Sequence, residues 1–295
     1  MLVTLLASIP SPSSGTIHLG PLRLTAYGLM IALGVVAAVV ISRRRAPSRG
    51  FDPDAFSSIA TWAVPAGLLG ARLYHVITDW HRFRGDYGEV FKIWNGGLGI
   101  PGGLLVGVSV GVIVARRYGI RPADGLDVVA PAIPVAQAIA RWGNWWNQEL
   151  FGRPTSLPWG LEISPGKRPE RFAAEPTFHP AFLYEGLWNL TLAFVLVRLD
   201  RRRVLRRGQL FWLYVAGYGL GRLWIESLRV YDATLVGPFR VNIWISLAAI
   251  VGGLVGFAVQ QVRGERRGPA ADEVAGALDD DPPENELTAG QTGRG

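Results

Sequence analysis

The sequence predicts an all-α, polytopic membrane protein of about seven transmembrane helices, with its N-terminus outside and its C-terminus in the cytoplasm. Three observations predict it. Hydrophobic residues make up 49% of the 295, and they gather in separate blocks whose helix turns are apolar on every side, where a soluble domain would alternate. Mean hydropathy is positive, at +0.23. The arginines collect in every second gap between blocks, which places all the basic clusters on one side of a membrane. In that position the net charge of +7 serves topology and anionic lipid, so no nucleic-acid partner is expected. Cysteine is absent, which excludes disulfides, thiolate metal sites and a cysteine nucleophile. His18, His75, His81 and His179 are scattered, and no metal centre or other cofactor is expected.

Residues 1–19 hold a short apolar start followed by Pro10-Ser11-Pro12-Ser13-Ser14-Gly15, with no basic flank, and read as an outside or interfacial leader that is not cleaved. The first span runs from about Leu24 to Ile41, near the minimum of roughly 17 to 20 residues, and ends at Arg43, Arg44, Arg45 and Arg49. The second, about Phe56 to Ile77, carries Arg72. After it, Asp79 to Trp94 alternates aromatic and charged residues, as suits an outer segment lying along the interface. Asn95-Gly96-Gly97-Leu98-Gly99-Ile100-Pro101-Gly102-Gly103 opens the third span. Its glycines imply close backbone approach, either to another helix or to a ligand, and the two readings stand side by side.

The fourth span, Asp124 to Trp146, contains Pro131 and Pro134, which bend a helix and free carbonyls where the bend lines a cavity. Gly152 to Phe178 is rich in proline and reads as an outer loop without a long helix. The fifth span (about Ala181 to Val197) exits into Arg198 to Arg207, the strongest inside marker. The sixth covers about Gln209 to Leu228 and the last about Val241 to Val262, ending at Arg263, Arg266 and Arg267. The organisation is therefore a membrane body over residues 1–267, with outer loops near 79–95 and 148–179, and a disordered acidic cytoplasmic tail over 268–295.

Charge inside the apolar blocks marks the candidate site, because an unpaired arginine in a membrane costs about 2.5 to 3.5 kcal/mol on insertion scales. At the outlet of the fourth span, Arg141, Asn144 and Gln148 follow helical spacing and share one face, with Asn147 and Glu149 beside it. On the sixth span Tyr218, Arg222 and Glu226 stand four apart and stack on one face. Guanidinium forks match phosphate, and the anions that a membrane supplies are phospholipid headgroups. Arg141 and Arg222 are thus the phosphate candidates. Asn144, Asn147 and Tyr218 are placed to fix hydroxyls, and Glu149 and Glu226 to orient the arginines or handle protons. An ion pair between Arg222 and Glu226 explains that pair without explaining Arg141. Tyr27, at the outer end of the first span, reads equally as an interfacial belt residue and as part of the site.

Arg141-x-Gly143-Asn144-x-x-Asn147-x-Glu149-x-x-Gly152 resembles the signature of the prolipoprotein diacylglyceryl transferases, bacterial inner-membrane enzymes. Tyr27-Gly28, Gly70-Ala71-Arg72, Gly96-Gly97-Leu98 with Gly102-Gly103, His179-Pro180-x-x-Leu183-Tyr184-Glu185 and Tyr218-Gly219-x-x-Arg222-x-x-x-Glu226 match in the same order. The resemblance implies transfer of the diacylglyceryl group of phosphatidylglycerol to the lipobox cysteine of a preprolipoprotein signal peptide, with release of glycerol 1-phosphate. It implies Arg141, Arg222, Glu149 and Glu226 as catalytic residues. Tyr27, Asn144, Asn147, Gly152, Tyr218, Gly102, Gly103 and His179 fall to substrate binding. In some members a histidine precedes the second glycine pair, where this sequence has Pro101. The proton acceptor is then sought in Glu149, Glu226 or His179, or in arginine charge that lowers the thiol pKa. A transporter of an anionic lipid or metabolite is the alternative. It predicts polar faces through the inner half of several spans, whereas these charges cluster near outer ends.

Overall fold

The computed structural model describes residues 8–19, 22–93, 96–231 and 234–263. The start of the expected leader, Trp94 and Asn95, Arg266 and Arg267, and the expected acidic tail lie outside the described residues.

Among the described residues the helices are α1 (Ala26–Arg45), α2 (Pro53–Thr78), α3 (Ile100–Arg117), α4 (Pro122–Val129), α5 (Ala132–Asn147), α6 (Ala181–Arg201), α7 (Gln209–Leu228) and α8 (Val241–Arg263). By length and composition α1, α3, α6 and α8 suffice to cross a membrane, and α4 with α5 forms a fifth candidate bent by 44°. The bend falls at Pro131, where the ring removes a backbone donor, while Pro134 is accommodated inside α5. Two further helices match the remaining expected blocks in position. Neither is among the candidate spans by that measure; α2 holds Arg72 and His75, and α7 holds Arg222 and Glu226. Val36 on α1, Leu105 on α3 and Val251 on α8 are 58%, 71% and 60% exposed, an outward apolar surface that suits a bilayer and marks a multi-pass membrane protein.

Small antiparallel pairs interrupt the all-α expectation: β1 (Thr16–Leu19) with β2 (Leu22–Thr25), β3 (Leu161–Glu162) with β4 (Thr177–Phe178), and β5 (Leu235–Val236) with β6 (Phe239–Arg240). The first corrects the start of the opening span. Leu24 belongs to β2, and α1 begins at Ala26, where the Thr25 hydroxyl accepts from the Gly28 N–H as N-cap. Arg72 pins the loop expected along the interface. Its guanidinium donates to the carbonyls of Val90, Gly96 and Gly97 at 2.9, 2.6 and 3.0 Å and to that of Glu89.

The two ends of the bundle differ in charge organisation. At one end Arg45 and Arg49 reach Asp200 on α6 at 2.9 and 2.5 Å. Beside them Asp127, fully buried on α4, accepts from the N–H groups of Gly208 and Phe211 at 2.8 and 2.9 Å. It thereby supplies the N-terminal cap that Gly208, with no side chain, cannot give α7. At the other end the 148–180 loop closes over an apolar cluster of Phe151, Leu161, Ile163, Phe178, Phe182 and Val230. Arg141, Glu185, Arg222 and Glu226 meet next to this second end.

Candidate active site

Helix α5 stops at Asn147 because Gln148 and Leu150 take left-handed backbone angles, φ 53° and 57°. This corrects the expectation that Gln148 shares the face of Arg141. Instead the Gln148 side chain donates to the Pro12 carbonyl at 3.0 Å and accepts from the Ser164 N–H at 2.8 Å, so it fastens the outer loop. The same reversal brings Glu149 back over the last turn. Its Oε1 accepts from Nδ2 of Asn144 at 2.8 Å and of Asn147 at 3.1 Å, and Asn144 Oδ1 accepts from Arg141 Nη1 at 3.2 Å. Sequence spacing thus foretold the Arg141, Asn144, Asn147 and Glu149 network, and the helix terminus is what closes it.

Arg141 and Arg222 come from separate helices and meet at one carboxylate. Arg141 Nε lies 2.6 Å from Glu185 Oε2, and Arg222 Nη1 lies 3.7 Å from Glu185 Oε1. Arg229, just past α7, also pairs with Glu185 Oε1. Arg222 Nη2 reaches Glu226 Oε2 at 2.8 Å, as the spacing of four requires, and Arg240 stands 3.6 Å from Glu226 Oε1. Tyr231 donates to Glu226 at 2.5 Å and accepts from Asn242 at the same distance. Four guanidiniums therefore surround two buried carboxylates, an excess of two positive charges within this cluster of described residues. Two of its donors, Arg222 Nη1 and Arg229 Nε, are buried without a hydrogen-bond partner among the described residues. Buried donors of this kind favour an added anion.

The sequence reading gives no site role to Arg229, Tyr231 and Arg240, nor to Glu185, which enters it only as the end of the His179-Pro180-x-x-Leu183-Tyr184-Glu185 match. Glu185 carried the available signal, a carboxylate in the first turns of an apolar block directly after Tyr184. Arg229 and Arg240 flank a short hairpin outside any block, where an arginine attracts no notice.

The other expected residues are not all joined to this centre. Tyr27, 38% exposed, packs over Gly143, where a Cβ would stand 2.6 Å from the Tyr27 ring. Gly152 bonds the His179 carbonyl through its N–H at 2.9 Å and bridges to Arg229. Tyr218 lies one turn from Arg222 and packs on Tyr214, with ring centroids 6.1 Å apart. Gly102 contacts Gly70 and Tyr74, and Gly103 contacts Ala71 and Gly67, so their near neighbours belong to α2.

His179 Nδ1 lies 3.1 Å from the Tyr184 hydroxyl, which also accepts from Trp159 at 2.9 Å. Burial holds the His179 pKa below its usual 6.5, so the ring is neutral at neutral pH. As pH falls the unfolded chain takes up this proton first, so the contribution of His179 to stability is complete above 6.5 and is lost on acidification. His179→Gln is expected to lose less stability than the parent protein between about pH 7.5 and about 5.5. Thermal unfolding in detergent checks this, and equal losses would show that the ring titrates freely.

A family model described as prolipoprotein diacylglyceryl transferase matches residues 14–259. The phosphatidylglycerol–prolipoprotein diacylglyceryl transferase of Frankia alni is 52% identical over 256 residues, 86% of this chain and 67% of that protein. The protein of the same name from Frankia casuarinae is 49% identical over 257 residues, 86% of this chain and 62% of its own length. That of Cutibacterium acnes is 48% identical over 259 residues, 87% of this chain and 88% of its own. The chain thus spans about two thirds of the Frankia relatives and most of the Cutibacterium one.

Proposed function

The chain belongs to the prolipoprotein diacylglyceryl transferase family, and we propose that it moves the diacylglyceryl group of phosphatidylglycerol onto the lipobox cysteine of a preprolipoprotein. The observation that carries this reading is the meeting of Arg141 and Arg222 at Glu185, within a cluster that holds two excess positive charges. In the reaction the cysteine sulfur attacks C3 of the glyceryl unit and the C–O bond to phosphorus breaks. The electron pair leaves on the phosphate oxygen, and glycerol 1-phosphate departs. The phosphate passes from one negative charge to two, so cations fixed beforehand at the leaving oxygen stabilise the transition state more than the ground state.

Arg141 and Arg222 hold the phosphate, and Asn144, with Asn147 and Tyr218, steadies the glycerol hydroxyls. Glu226 is buried and committed to Arg222, Tyr231 and Arg240, so its role is charge balance. Glu149 is exposed at the outlet and linked through Asn144 to Arg141. It receives the thiol proton, and the nearby arginines lower the thiol pKa. A groove of about 370 Å³ between α1, α2 and α5, lined by Ile31, Val35, Ile59, Ala136 and Ala140, the last of these next in sequence to Arg141, is almost wholly apolar. It suits an acyl chain whose headgroup rests at the arginines.

We infer seven spans, counting α2 and α7, with the end bearing Arg45 and Arg49 in the cytoplasm and the arginine site at the outer face of a bacterial inner membrane. The gathering of Arg45, Arg49, Arg207 and their aspartates at one end supports this orientation. Incubating the purified protein with phosphatidylglycerol and a lipobox peptide is expected to yield a thioether-linked diacylglyceryl peptide, read by mass spectrometry. Phosphatidylethanolamine is expected to yield little, and no product from either lipid would overturn the reading.

A further inference from the structure

Glu185 lies within ion-pair distance of three guanidiniums that arrive from different parts of the chain. Arg141 reaches it from α5, Arg222 from α7, and Arg229 from the segment after α7. Its own backbone lies in the second turn of α6, fixed by burial of Ala181, Phe182 and Gly186 beside it. Glu185 is 5% exposed and Arg229 4%, so neither is a surface ion pair that water could replace. The two carboxylate oxygens are divided, Oε2 to Arg141 and Oε1 to Arg229 and Arg222. Arg222 is held loosely, with Nη1 3.7 Å away and without a hydrogen bond. Arg229 keeps its Nε free of any partner among the described residues. A carboxylate with two oxygens cannot match every donor of three guanidinium forks. This one orients three forks and leaves two donors for something else.

We propose that Glu185 is a positioning residue that fixes Arg141, Arg222 and Arg229 as a three-armed anion-binding group, with Arg229 a third ligand for the phosphate. This rests on the transferase reading above and adds two residues to it. The alternative role for Glu185, simple charge compensation, predicts the opposite sign in one measurement. Removing a carboxylate from a cationic site strengthens anion binding if the arginines stay in place, and weakens it if the carboxylate was holding them there.

The test uses the full-length protein and sn-glycerol 1-phosphate as probe, with binding read by calorimetry and transfer read by thioether product. Glu185→Gln is expected to weaken glycerol phosphate binding and to lower kcat/KM for phosphatidylglycerol by about 10- to 100-fold, the range typical of residues that orient the groups a ligand touches. Glu185→Asp is expected to recover part of both. The effect of Glu185→Gln should shrink, without vanishing, when Arg141 is already lysine, because the Arg141 contact is shared while those to Arg222 and Arg229 remain. Arg229→Gln, which leaves Glu185 its other two partners, is expected to weaken the probe with little change in thermal unfolding, and it decides the matter if Glu185→Gln does not fold. Tighter probe binding by Glu185→Gln, or unchanged binding by Arg229→Gln, would overturn the proposal. If the parent protein binds the probe through these residues but makes no thioether product, the anion group stands and the transferase reading falls.

Discussion

Arg141→Ala and Arg222→Ala are each expected to lower diacylglyceryl transfer by at least about 100-fold while the protein still inserts and folds, in line with the loss of one preorganised donor at a developing anion. Each guanidinium sits where it is electrostatically costly and is only partly repaid. Arg141 shares Glu185 with two other cations, and Arg222 has one buried nitrogen without a hydrogen bond among the described residues. Removing either therefore relieves repulsion as well as breaking an ion pair, so the stability loss is modest and the loss in rate large. Lysine at either position recovers little, because a point charge cannot present the planar fork that a phosphate accepts. The comparison to make is product formation by purified variants alongside their thermal unfolding. A variant with the parental rate would show that the phosphate is recognised elsewhere.

Gly152→Ala is expected to damage both fold and rate. Three strands of chain cross at this glycine: its N–H donates to the His179 carbonyl at 2.9 Å, Arg153 donates to the Leu228 carbonyl at 2.8 Å, and His179 donates back to Arg153 at 2.9 Å. A Cβ would stand 2.7 Å from the Cβ of His179 and 3.2 Å from the Leu228 carbonyl oxygen, neither of which is the end of a flexible side chain. Overpacking of this kind costs about 1 to 3 kcal/mol. The movement passes directly to Arg229, which bridges Gly152, and a shift of about 1 Å at a charged site can cost about 100-fold in rate. Gly166→Ala, in the same loop, adds a Cβ with nothing within 4 Å and should change neither property. Measured melting temperatures and transfer rates of the two variants side by side settle the point, and an unaffected Gly152→Ala protein would mean that the crossing gives way without disturbing the site.

What the sequence disclosed follows from periodicity and cost. Helix-long apolar blocks announce themselves, so α1, α3, α6 and α8 were legible, and so was the bend before α5 through Pro131. Buried charge inside such blocks is rare enough to mark Arg141, Arg222 and Glu226 at once. The Arg222 and Glu226 contact follows from their spacing, and the meeting of Arg141 with Arg222 was expected from their chemistry alone. What stayed hidden depended on backbone reversal and on long-range approach. Nothing local says that Gln148 would turn left-handed and leave the face of Arg141. Two-residue strands such as Leu161–Glu162 are too short to show an alternating pattern. Arg240 reaches the centre because a hairpin folds the chain after α7 back toward Glu226, and no spacing rule encodes that return.

The most direct measurement is a structure of the protein determined with phosphatidylglycerol or sn-glycerol 1-phosphate bound. The account predicts the phosphate within hydrogen-bond distance of both Arg141 and Arg222, with Glu185 still holding Arg141 behind it. A phosphate bound away from these two side chains, with Arg222 still directed only at Glu226 and Glu185, would contradict it.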